Sequence, residues 1–142
     1  MNRLAAIAVC LLLATFLPGC AEMKSMTGQS ADLTSLLTKQ LGVTDTQASG
    51  GVGSMLKLAQ EKLAAGDFDT VAKAIPGADK YLASAKQLLG GGNIVDKAGL
   101  QSAFSKLGMS PSMVDQFTPV VTQFVGQTGG DKAKNLLSGV LK

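Results

Sequence analysis

Side-chain chemistry needs nucleophiles, acids and bases, or metal ligands, and this 142-residue chain carries few of them. It has no histidine and two cysteines, Cys10 and Cys20, both near the N-terminus. Without histidine, imidazole acid–base catalysis and the Ser-His-Asp arrangement are excluded. Beyond Cys20 no cysteine remains to build a disulfide framework, and neither Cys nor His remains to ligate zinc. Asp67 and Asp69 are the close pair of acids in the later chain. They stand at an expected helix start, where capping and the helix dipole account for them. The residues therefore predict no catalytic constellation, no metal and no cofactor, and the chain is not expected to be an enzyme.

Gly50, Gly51 and Gly53 form the second candidate, a cluster with Ala48, Ser49 and Ser54 around it. Backbone N–H groups in such clusters can cradle phosphate. A Walker-type loop, however, needs Gly-Lys-Ser/Thr, and a dinucleotide fingerprint needs a preceding strand. Neither is present. Each glycine inside a helix costs up to ~1 kcal/mol against alanine, so three so close require a reason. Close packing supplies one, because another helix can approach nearly to backbone contact where side chains are missing. The structural alternative is a true break, with the helix starting only at Ser54.

Cys20 is the residue whose setting does point to a chemistry. Asn2 and Arg3 precede an apolar run over 4–17, about the length of a secretory h-region and short of the roughly 20 residues that span a bilayer. The run ends in Leu17-Pro18-Gly19-Cys20, which resembles a bacterial lipobox. Pro18 departs from the small or β-branched residue usual at that place. The resemblance implies a signal peptide over 1–19, cleavage between Gly19 and Cys20, and lipidation of the Cys20 thiol, with acylation of the new amine. Two or more acyl chains hold a protein stably at a membrane. Ala21 and Glu22 follow, with no Asp beside the cysteine. In a two-membrane bacterium that resemblance implies the periplasmic face of the outer membrane. The small, polar stretch over 21–31 has no helical stripe and reads, with Cys20, as a flexible tether over 20–31.

The elements behind these residues are helical. Hydrophobic residues make up 46% of the chain and aromatics 4%, so a core must be built from Leu, Val, Ala, Met and a few Phe. Val, Ile and Thr do not gather into alternating runs, which leaves a sheet without support. The formal charge is +3. The lysines are scattered among acids with no arginine-rich patch, so nucleic acid is not an expected partner.

In order, Leu33, Leu36, Leu37 and Leu41 mark one face of a short helix with Asp32 as N-cap and Gly42 as C-cap. Thr44 and Gln47 form a capping box, with Val43 stapled against Ala48, for a helix over 44–64. Gly66 is expected to end that helix and Asp67 to cap the next, which Pro76-Gly77 stops. A helix over 78–89 carries Tyr81, Leu82, Ala85, Leu88 and Leu89 on its apolar side. Gly90-Gly91-Gly92-Asn93 is the strongest break, and 90–97 reads as a flexible loop. A short helix over 100–107 follows. Ser110-Pro111 then opens a helix over 111–127 with a kink or division expected at Pro119. Gly129-Gly130 closes it, and Asp131 caps a last helix ending at Leu141. The fold class is all-α: a bundle of six to seven short helices over 32–142, with sub-units over about 32–89 and 98–142.

Leu41-Gly42-Val43-Thr44 has an echo in Leu107-Gly108-Met109-Ser110, and Gly66-Asp67 in Gly130-Asp131. The echo fits an old duplication or two uses of common capping chemistry. Over residues 33–140 the chain resembles a bacterial family of unknown function, the VcgC/VcgE type. The pieces that carry the resemblance are Leu41-Gly42-Val43, Gly50-Gly51 with Gly53, Ile75-Pro76-Gly77, and Leu107-Gly108-Met109-Ser110-Pro111. It implies a small helical domain of secreted or envelope proteins and carries no catalytic residues over.

Two functions remain open from the sequence. One is an uncharacterised envelope lipoprotein, anchored at Cys20, whose helical domain is a structural or interaction module for an envelope protein or for a second copy. The other is binding or sensing of a lipid or other apolar ligand among Met55, Met109, Met113, Phe104, Phe117 and Phe124, although such a stripe at helical spacing is more often plain core.

Overall fold

A computed structural model describes residues 32–142. Cys10, Gly19, Cys20 and the expected tether lie outside the described residues. Among the described residues the fold is all-helical, with six helices and no strand: α1 (Leu33–Leu41), α2 (Asp45–Lys62), α3 (Ala65–Ala74), α4 (Ala78–Leu89), α5 (Lys97–Lys106) and α6 (Met113–Val140).

Local capping accounts for most boundaries. Gly42 ends α1 in the left-handed region at φ 67°, a conformation glycine adopts without strain. Thr44 starts α2: its hydroxyl accepts from Gln47 N at 3.2 Å, and Gln47 Oε1 accepts from Thr44 N at 3.1 Å. Val43 and Ala48, on either side of this box, are both buried, as a hydrophobic staple requires. Gly90 ends α4 at φ 65°.

Four boundaries differ from the sequence expectations. The α2–α3 break falls at Leu63 and Ala64, whose backbones are extended. Gly66 and Asp67 therefore lie inside the first turn of α3, where Ala64 O accepts from Asp67 N at 3.0 Å and Phe68 N at 2.9 Å. Asp67 still faces the positive end of the helix dipole, although it is not the cap. Helix α5 begins at Lys97, because Asp96 Oδ1 accepts from Gly99 N at 2.7 Å and caps it. The loop before it is pinned by Ile94, which is buried. Met113 opens α6 after a turn in which Ser110 O accepts from Met113 N at 2.9 Å, so Ser110-Pro111 lead into the helix and are not its first residues. Finally, the backbone stays helical through Pro119, where a kink or division is expected, and breaks only at Gly130, with φ 78° and ψ 179°, where Gly129-Gly130 is expected to close the helix. Physically α6 is two helices joined there, which places the total between six and seven.

The core is one cluster drawn from both sequence halves. Leu33, Val52, Met55, Leu58 and Ile75 share it with Phe104, Phe117, Val125 and Leu137. Helix α2 is its axis and packs against each of the other five. Helix α3, from the first half, packs along α6, from the second. The Thr128 hydroxyl of α6 donates to Ala74 O at the end of α3, which satisfies one of the carbonyls that a helix C-terminus leaves free.

Candidate functional site

The glycines of α2 make its central position geometrically feasible. Gly50, Gly51 and Gly53 are all buried. A Cβ on Gly51 would stand 2.6 Å from Phe117 Cε1 and 3.2 Å from Phe104 Cζ. On Gly50 it would meet Leu107 Cδ2 at 2.6 Å and Leu88 Cδ1 at 2.9 Å. On Gly53 it would overlap the Tyr81 carbonyl oxygen of α4. The three positions thus admit α5 and α6, then α5 and α4, then the backbone of α4. The space beside them is filled with protein atoms, so the cluster does not offer a phosphate cradle. Ser54 returns its hydroxyl to Gly50 O at 2.7 Å and brings no polar group to the surface.

The methionine and phenylalanine set is likewise interior, except that Met113 is only partly buried against the core. Met55, Phe104 and Phe117 are buried, and the two rings meet edge to face with centroids 5.0 Å apart. Asp67 forms a loose pair with Lys132 Nζ at 3.7 Å. Asp69, the other acid of the expected pair, is exposed one residue beyond Phe68. Among the described residues no cluster of three or more His, Cys, Asp or Glu stands in metal-binding geometry.

What the sequence did not reveal is a groove along the seam of α2 and α4. Close approach at Gly53 brings the two helices together, and the side chains above that seam are the small Ser49 and Ser84. Small residues over a close-packed seam leave a trough. Its first part is a cleft of about 520 Å³, whose lining includes Asp32, Asp45, Ser49, Lys80, Tyr81 and Ser84. A second cleft of about 260 Å³ shares Asp45, Ser49 and Ser84 and carries the groove on to Leu88. Gly77, Lys80, Tyr81, Ser84 and Leu88 lie on one face of α4, a span of about 16 Å at the helical rise. The sequence places Tyr81 on the apolar side of α4. In the structure its ring packs against the core while its hydroxyl pairs with Thr34 Oγ1 of α1 at 2.9 Å. No periodic signal marks such a groove, because it arises from which helices pair and not from either helix alone.

A family model described as protein of unknown function VcgC/VcgE matches residues 19–142. No curated protein and no solved structure matches the chain.

Proposed function

As the chain belongs to the VcgC/VcgE family of unknown function, we propose that it is a lipid-anchored envelope protein whose helical domain is a non-enzymatic structural or interaction module. The proposed anchor is Cys20, and the proposed place is the periplasmic face of the outer membrane. The observation that carries this reading is the order of segments. An apolar run over 4–17 leads into Leu17-Pro18-Gly19-Cys20, a polar stretch over 21–31 follows, and the first helix starts at Leu33. The family match begins at Gly19, directly beside the proposed cleavage point. Among the described residues no helix is long and apolar enough to cross a membrane, and the proposed attachment is through lipid on Cys20 alone.

The domain supports a module better than a reaction centre, because its carboxylates are dispersed and its chemistry-bearing residues are mostly hydroxyls. An apolar-ligand carrier, the other reading, is opposed by the burial of Met55 and by the packing of Phe104 and Phe117, whose rings lie against Gly51. The test is membrane fractionation of Cys20→Ser. The variant should move from the membrane to the soluble fraction, and a variant that stays membrane-bound contradicts the anchor.

A further inference from the structure

We infer that the α2–α4 groove is a binding site for a neutral oligosaccharide chain. Its shape selects a linear ligand, since two continuous clefts of about 520 and 260 Å³ run along one face of α4. Its lining then selects the chemistry. Two carboxylates, Asp32 and Asp45, stand against one ammonium, Lys80, so phosphate or another anion meets net repulsion. A peptide groove would offer apolar pockets for side chains, whereas the first cleft here carries the hydroxyls of Thr34, Ser35, Ser49 and Ser84 along its wall. Two carboxylates beside a lysine are also a poor cation site, which needs more oxygen ligands and no competing ammonium.

A polyhydroxylated chain fits each of these groups. Carboxylates accept from sugar hydroxyls, the Lys80 ammonium donates to sugar oxygens, and serine hydroxyls do both. Ser84 already donates to Lys80 O at 3.0 Å, which leaves its oxygen free to accept. Thr34 and Tyr81 share one hydrogen bond at 2.9 Å. One of their two hydroxyl protons is used there, and the other is not taken up by that bond. That bond also ties the Tyr81 hydroxyl, whose ring packs against the core, to α1, so this wall of the groove is ordered before a ligand arrives. The inference is independent of the anchor at Cys20.

The protein carries its own reporter. Tyr81 is the single tyrosine and there is no tryptophan, so tyrosine emission reads this groove. The experiment titrates the full chain, in a zwitterionic detergent free of sugar headgroups, with chitotetraose, cellotetraose and maltotetraose. A saturable change in Tyr81 emission with at least one of them is expected. S84R and S49R, which project a long side chain into the groove, should weaken that binding by about tenfold or more with the thermal unfolding midpoint unchanged. No saturable change with any of the three sugars overturns the inference. So does binding that survives undiminished in both arginine variants.

Discussion

At the residue scale, glycine has opposite consequences at different places in this chain, and the neighbouring atoms decide which. Gly51 faces the rings of Phe117 and Phe104, which are themselves fully buried. A leucine there has to displace an aromatic ring or push α2 away from α6. Gly51→Leu should destabilise the domain by about 3 kcal/mol, at the upper end of the usual cost of overpacking. Gly66 is the internal control. It is helical and exposed, and a Cβ there would meet nothing within 4 Å. Gly66→Ala should stabilise by about 0.5–1 kcal/mol through the unfolded chain's lost freedom. Urea unfolding of both variants checks the pair. A Gly51→Leu variant as stable as the parent refutes the close-packing account of the α2 glycines.

At the element scale, what could be read in advance was what is local. The Thr44–Gln47 box, the left-handed Gly42 and Gly90, and the leucine face of α1 all act within one turn of chain, so residue types at short spacing announce them. The start of α5 was hidden because Gly90-Gly91-Gly92 draws attention to flexibility, while the cap that matters is Asp96, a few residues on. Asp96→Ala should cost about 1 kcal/mol, the usual worth of a side-chain N-cap. Amide exchange in the first turn of α5 should rise with it, and unchanged protection at Gly99 would contradict the capping role. The echo between the halves is also local in one place and fails in another. Gly42 and Gly108 are both left-handed, at φ 67° and 73°, and Val43 and Met109 after them are both buried. Gly66 lies within a helix while Gly130 sits at φ 78° in a break, so the second pair of the echo does not occupy equivalent places in the fold.

The two echoed turns also meet in space. Gln47, whose side chain closes the capping box, donates its Nε2–H to Leu107 O at 3.2 Å. One residue thus starts α2 and satisfies a carbonyl at the end of α5. Such a contact is tertiary, and nothing in the spacing of either segment foretells it. The same holds for the groove. Ser49 and Ser84 are unremarkable in sequence and become a trough only because Gly53 lets α4 lie against α2.

For the whole molecule, the domain is one core wrapped around α2, preceded in sequence by an apolar leader-like run and a lipobox-like motif. Its face toward solvent is polar and its interior is packed, which suits a module held near a membrane better than a carrier that opens to admit lipid. The proposal stands or falls on the fate of Cys20. The direct measurement is the intact mass of the protein extracted from membranes of a bacterium that processes lipoproteins. The account predicts a chain that begins at Cys20 and carries the added mass of a diacylglyceryl group, with or without a further acyl chain on its amine. A chain that retains residues 1–19, or one that begins at Cys20 with a free thiol, would contradict it.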